Sequence, residues 1–154
     1  MDKKSLSERD ICTKFIAPAI EQAGWDIQKQ VLEEFGFTAG RVMVRGKLHS
    51  RGERKRVDYL LSHQKNLPLA VIEAKDNKHS VRAGMQQALD YAERLDVPFV
   101  FSSNGDGFVL HDKTGTYPAT EMNLTLDEFP TRAELWRRYK ICRGIEDGIE
   151  DLIT

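Results

Sequence analysis

Apolar and polar positions divide the chain into helical and extended segments. Ile11, Phe15, Ile16, Ala19, Ile20 and Ala23 recur at helical spacing and predict an opening helix. Ser7, with Asp10 three residues on, supplies a capping signal at its start, and Gly24 ends it before Trp25. Pro18 falls inside this pattern and predicts a kink or an early break. From Ile27 to Phe37 the pattern is mixed, and Val31, Leu32 and Phe35 fit a short helix or an irregular apolar segment. Thr38-Ala39-Gly40 reads as a turn. Arg41 to Leu48 then alternates, with Val42, Val44 and Gly46 on one face and Arg41, Met43, Arg45 and Lys47 on the other. That alternation predicts a strand with one basic face.

Two apolar runs follow, Arg56 to Leu61 and Leu67 to Lys75, separated by the polar stretch Ser62 to Asn66. They predict adjacent strands joined by a tight connection. A helix is expected from Val81 to Leu95, with Met85, Ala88, Leu89, Ala92 and Leu95 as its apolar stripe. Val97 to Phe101 is continuously apolar, as in a strand buried on both faces, with Pro98 tolerated only near its start. Ser103 to Gly107 is a turn signal, and Phe108 to His111 completes a hairpin. The stretch from Thr116 to Thr125 reads as irregular, and Leu126 to Phe129 as a single turn. Thr131, with Glu134 at the box position, caps a last helix that carries Leu135, Trp136, Tyr139 and Ile141 and that Gly144 could end. Helix, three strands, helix and two strands predict an α/β fold: a mixed central β-sheet flanked by helices.

The 154 residues are enough for one domain with a core, and 40% hydrophobic with 31% charged residues place the chain among globular proteins. A net charge of −1 excludes a globally basic nucleic-acid binder, so contact with DNA requires a local patch. Such a patch exists between Arg41 and Arg56, where Arg45, Lys47, Arg51, Arg54, Lys55 and Arg56 concentrate, with His49 to Lys55 read as a polar loop. A basic loop is commonly just a solvated loop; this one leads directly into acidic residues. The N-terminus has no apolar signal region, and no apolar run is long enough to span a membrane. Cys12 and Cys142 fit neither a metal-ligand spacing nor a disulfide framework, so a reducing cytoplasm is the expected location.

The candidate chemistry lies in the paired runs. Residues two apart on a strand share a face, so Glu73 and Lys75 project together, with small Ala74 between them. If the two strands pair, Asp58 lies opposite. Two carboxylates and an ammonium at the end of an apolar sheet are costly to bury. A divalent cation such as Mg²⁺ gives a reason for them, with the lysine beside an activated water. The plainer alternative is a solvated Glu-Lys pair punctuating a strand end. Glu8, in the first turn of the opening helix, either favours the helix dipole or reaches toward the metal. Gln87 and Tyr91, four apart on the following helix, present an amide and a phenol one turn apart.

This order, Asp58, then Glu73-Ala74-Lys75, then Gln87-x-x-x-Tyr91, resembles the PD-(D/E)xK nuclease superfamily, with Val57 standing where the proline would be. The resemblance extends further. An opening helix ending in Ala-Gly-Trp, then Val-Asp-Tyr-Leu-Leu, Val-Ile-Glu-Ala-Lys, Gln-Ala-Leu-Asp-Tyr-Ala, Val-Pro-Phe-Val-Phe, Ser-Asn-Gly-Asp-Gly-Phe and Phe-Pro-Thr-Arg-Ala-Glu-Leu-Trp are similar to the N-terminal nuclease domain of the restriction (HsdR-type) subunit of type I restriction enzymes. The resemblance implies a restriction-endonuclease-like fold and Mg²⁺-dependent cleavage of double-stranded DNA without sequence readout by this domain. It implies that Asp58, Glu73 and the Ala74 carbonyl bind metal, that Lys75 acts on the water or on charge at phosphorus, and that Gln87 and Tyr91 support the site. Glu8 would be an outer metal contact. It further implies methyltransferase and specificity subunits as partners and an ATP-driven motor following the nuclease. No phosphate-binding Gly-Lys-Thr loop is present, so residues 1–144 are expected to be the nuclease domain and residues 145–154 the start of a linker in a fragment of a longer subunit. A different nuclease of the superfamily, for repair or junction resolution, and a catalytically silent DNA-binding or docking module are the alternatives.

Overall fold

The computed structural model describes residues 2–38, 43–44, 47–48 and 54–144. After a short 3-10 turn at Lys3–Ser5, α1 (Glu8–Ile11) runs through a π-helical turn, Cys12–Ile16, into α2 (Ala17–Gln22). Strand β1 (Val31–Thr38) follows, and then two short strands, β2 (Met43–Val44) and β3 (Lys47–Leu48), which pair with each other. Next come β4 (Arg54–Gln64), β5 (Leu67–Ala74), α3 (Met85–Leu95), β6 (Phe99–Ser103), β7 (Phe108–Asp112), β8 (Glu121–Leu124) and α4 (Arg132–Arg143). Six strands form one sheet in the order β1-β4-β5-β6-β7-β8, antiparallel except for the β5–β6 pair. A parallel pair needs a crossover, and α3 supplies it. This is the mixed, helix-flanked α/β sheet that the sequence predicts.

Each sheet face buries one helical layer. Met85, Ala88, Tyr91 and Ala92 of α3 pack with Val71 and Val100 on one side. On the other, Ile11, Ile16 and Ile20 of the opening helix and Leu135 of α4 pack with Ile72 and Phe101. Alternation along β5 and β6 sends Val71 and Val100 to the α3 side and Ile72 and Phe101 to the other, so both faces are apolar and these strands read as continuous runs. Phe101, Phe108 and Phe129 meet at the centre, with ring centroids 4.7 Å apart for Phe101–Phe129 and 4.8 Å for Phe108–Phe129. Among the described residues no helix is long and apolar enough to cross a membrane.

Several local expectations hold. Ser7 caps α1 reciprocally with Asp10, at 3.1 and 3.2 Å. The Thr131 hydroxyl accepts from the Glu134 N–H at 3.0 Å, and Gly144 closes α4 in the left-handed region.

Others are corrected. Pro18 does not break the opening helix, because the π turn just before it lets the Ala17 N–H donate to the Cys12 carbonyl, and Pro18 stands in the first turn of α2, where its missing N–H is tolerated. The stretch from Ile27 to Phe37 is neither helix nor irregular in its second half but forms β1. Arg41 to Leu48 is not one strand: β2 and β3 lie antiparallel to each other. Arg54 and Lys55 belong to β4 rather than to a loop, and Glu121–Leu124 is the edge strand β8. Residues 81–84 are turns preceding α3. The turn at Ala39-Gly40, residues 49–53 and the linker at 145–154 lie outside the described residues.

Candidate functional site

The β4–β5 ladder carries Tyr59 opposite Ile72, and one more step in that register sets Asp58 across from Glu73. The ladder ends at this rung, and the Asp58 side chain takes over: its Oδ2 accepts the Ala74 N–H at 2.7 Å. Asp58 is thereby fixed by the very strand that carries its partner. Glu73 and Lys75 project to the α3 side, as their parity requires. A methyl group on Gly84, the residue before α3, would stand 3.3 Å from Glu73 Cγ and 3.5 Å from Lys75 Cγ. The Lys75 N–H donates to the Ser103 carbonyl at 2.9 Å, which extends the β5–β6 pairing to the end of the acidic strand.

The electrostatics of this rung are unfavourable for two free carboxylates. Glu73 is only 6% exposed, and its Oε1 is buried without a hydrogen-bond partner. Burial, reinforced by the adjacent Asp58 charge, pushes the Glu73 carboxyl up to about 8. Burial also raises Asp58, against the opposing pull of the Ala74 N–H. Glu8, at the start of α1, is raised by burial and then by Asp58, while Lys75 pulls it the other way. Glu8 therefore faces the same rung. An orphaned carboxylate oxygen beside a second carboxylate is a donor set suited to a hard divalent cation. Among the described residues no three His, Cys, Asp or Glu side chains are grouped to hold one ion.

On α3 the Gln87 side-chain amide donates to the Tyr91 hydroxyl. Tyr91 is buried against the sheet, and Gln87 lies exposed one turn beyond Gly84. Of the basic residues, Arg56 is exposed and its Nη1 lies 3.2 Å from Glu34 Oε1. Lys55 is half-buried. Arg54 and Lys47 are placed by their backbones on β4 and β3, and Arg45 and Arg51 lie outside the described residues.

A cleft of about 280 Å³ opens between the first helix and the β1–β4 edge, lined by Glu8, Arg9, Glu33, Glu34, Arg56 and Asp58 among others. Sequence reasoning missed three of these: Arg9, Glu33 and Glu34. Glu34 has φ +50°, a left-handed conformation in the middle of a strand. It breaks the two-residue alternation of β1, so consecutive Glu33 and Glu34 both line the cleft, while Leu32 and Phe35 both line the groove on the α3 side. Asp58 and Tyr59, also consecutive, line the cleft together on the facing strand. The bonds that tie down the segment after Lys75 were missed as well: the Asn77 side chain donates to the Asn104 carbonyl at 2.8 Å, and the Asn104 side chain donates to the His79 carbonyl at 2.6 Å. The Ser-Asn-Gly-Asp-Gly turn was the available signal for those bonds.

Comparison with known proteins agrees with this architecture. A family described as the type I restriction enzyme R protein N terminus matches residues 26–130. The endonuclease subunit of the type I restriction enzyme EcoAI of Escherichia coli is 45% identical over 155 residues, which cover 100% of this chain and 19% of that subunit. The chain thus spans about a fifth of the length of this curated relative. A solved fragment assigned to the HsdR subunit of a type I restriction enzyme of Vibrio vulnificus superposes with a TM-score of 0.78 at 39% identity, covering 94% of this chain and 27% of that one.

Proposed function

Because this chain belongs to the family of type I restriction enzyme R protein N termini, we propose that it is the nuclease part of such a subunit, hydrolysing phosphodiester bonds of double-stranded DNA in a Mg²⁺-dependent reaction. The observation that carries the proposal is the rung itself: Asp58 locked on the Ala74 N–H, Glu73 beside it with an unpartnered buried oxygen, and Lys75 on the same face as Glu73. Asp58, Glu73 and the Ala74 carbonyl would hold the ion, and Glu8 would contact it through its water shell. When bound, Mg²⁺ supplies charge neutralisation at the phosphate and a more acidic water.

The chain's own residues do the rest. The Ala74 N–H keeps Asp58 oriented and opposes the upward push of burial on its carboxyl, since a donated hydrogen bond favours the charged form. Lys75 orients the attacking water and stabilises the charge that builds on the phosphoryl oxygens. Gln87 and Tyr91, bonded to each other one turn from Gly84, support the Glu73–Lys75 face. Arg45, Lys47, Arg51, Arg54, Lys55 and Arg56 hold the DNA backbone, and contacts of that kind position a duplex without reading its sequence. In this reading ATP is used by a motor elsewhere in the subunit, and methyltransferase and specificity subunits select the target.

The test is cleavage of duplex DNA by the assembled restriction complex carrying Asp58→Ala. Cleavage should disappear, ATP hydrolysis should continue, and removing Mg²⁺ with a chelator should silence the unaltered nuclease. Cleavage by the variant at the unaltered rate would overturn the assignment.

A further inference from the structure

The cleft carries an ion-pair arrangement that the nuclease reading leaves unused. Glu34 stands between two arginines from different elements. Arg9 Nη1 of α1 lies 2.6 Å from its Oε2, and Arg56 Nη1 of β4 lies 3.2 Å from its Oε1. Each carboxylate oxygen serves one guanidinium. The two arginine side chains are 76% and 65% exposed, so both forks face solvent at the mouth of the cleft that Asp58 lines. The Glu34 charge is felt at Asp58, and so is that of Arg56.

The backbone gives this carboxylate its place. A non-glycine residue in the left-handed region inside a strand is strained, because its Cβ crowds the backbone. At Glu34 the left-handed turn puts the side chain into the cleft next to that of Glu33 instead of on the opposite face. An acid is an unwelcome neighbour for a polyanion, yet this one lines the same cleft as Asp58. Its form resolves the conflict: a carboxylate with one arginine on each oxygen has the charge and the two-oxygen shape of a phosphodiester between two arginines.

We propose that Arg9 and Arg56 form a seat for a DNA phosphate at the mouth of the cleft, and that Glu34 occupies this seat as a stand-in until a phosphate displaces it. The proposal rests on the nuclease reading for its ligand class, and it adds to that reading a residue outside the basic loop, Arg9, and a built-in competitor, Glu34. Holding the two guanidinium groups in place limits the ordering that binding would otherwise require. Exposed ion pairs are weak, so a phosphate that brings the field of a whole duplex can replace the carboxylate.

The experiment is a titration of unrelated DNA duplexes at several salt concentrations, without divalent metal so that no cleavage occurs, using the 154-residue chain. Glu34→Gln should bind more tightly, by about threefold to tenfold at low salt, the range set by releasing one or two exposed ion pairs. Glu33→Gln makes the same change in net charge next door and should gain clearly less. Arg9→Ala and Arg56→Ala should each weaken binding to all sequences alike and flatten the slope of log affinity against log salt by about one. With both arginines removed, Glu34→Gln should gain no more than Glu33→Gln. Glu34→Gly, which relaxes the left-handed backbone, should reproduce the gain of Glu34→Gln and guards against a folding defect in the latter. Equal gains from the Glu33 and Glu34 variants, unchanged salt slopes in the arginine variants, or no duplex binding by any form would overturn the proposal. Because no readout depends on cleavage, an inactive nuclease centre would leave these results standing, and a failed seat would leave the cleavage test unaffected.

Discussion

Replacing Glu73 by glutamine should stabilise the metal-free protein by an amount that grows with pH. The Glu73 carboxyl is held at about 8 in the folded chain against an ordinary value of 4.5, because it is buried beside Asp58. A carboxyl with a raised folded value binds its proton more tightly when folded. Its effect on stability is therefore nil below pH 4.5, turns increasingly unfavourable between pH 4.5 and 8, and levels off above. At 1.36 kcal/mol per unit, the penalty is about 1 kcal/mol at pH 5 and about 4 kcal/mol at pH 8. Glutamine keeps the shape and carries no charge, so most of that penalty should vanish. The assay is urea denaturation of the unaltered chain and Glu73→Gln in chelator, at both pH values. The gap between them should widen toward pH 8 in favour of the variant. Adding Mg²⁺ at pH 8 should raise the stability of the unaltered chain and leave the variant nearly unmoved, because an ion shared by two carboxylates stabilises only the folded state that offers both. A variant less stable than the unaltered chain at pH 8, or a gap that narrows with rising pH, would refute the picture of two carboxylates forced together.

Two further outcomes follow from the packing. Phe101→Ala should cost about 3–5 kcal/mol in denaturant unfolding, since Phe101 is fully buried against Phe108 and Phe129, and a loss below about 1 kcal/mol would contradict that core. Burial, with Asp58 and Glu8 nearby, pushes the Cys12 thiol up to about 12, so alkylation of the folded protein at neutral pH should label the exposed Cys142 and spare Cys12 until the chain is unfolded, as mass spectrometry of the peptides would show.

What the sequence made legible, and what it hid, has a physical pattern. The Glu73–Lys75 parity, the β5 and β6 runs and the hairpin after Phe101 were readable because each depends on neighbours in the chain or on continuous burial. The β1 strand was hidden by its own irregularity. Leu32 and Phe35 lie three apart, a helical spacing, and they share one face of a strand only because left-handed Glu34 shifts the alternation by one residue. No local rule assigns a left-handed conformation to a glutamate. Edge strand β8 was missed for a different reason: none of its four residues is buried, so it carries little hydrophobic pattern. The residues of the candidate site could be named from the sequence, but their contacts could not. The Asp58 carboxylate on the Ala74 N–H, the closeness of Gly84 to Glu73 and Lys75, and the arginines meeting at Glu34 are all contacts between elements distant in sequence.

The most direct measurement is DNA cleavage by the assembled restriction complex carrying Lys75→Ala. Lys75 supplies no metal-binding oxygen, so this variant separates the chemistry from the fold and from the ion. Cleavage should be lost, with ATP hydrolysis continuing and with the Mg²⁺-dependent gain in stability of the 154-residue chain at pH 8 retained. Cleavage at the unaltered rate by Lys75→Ala would contradict the nuclease assignment.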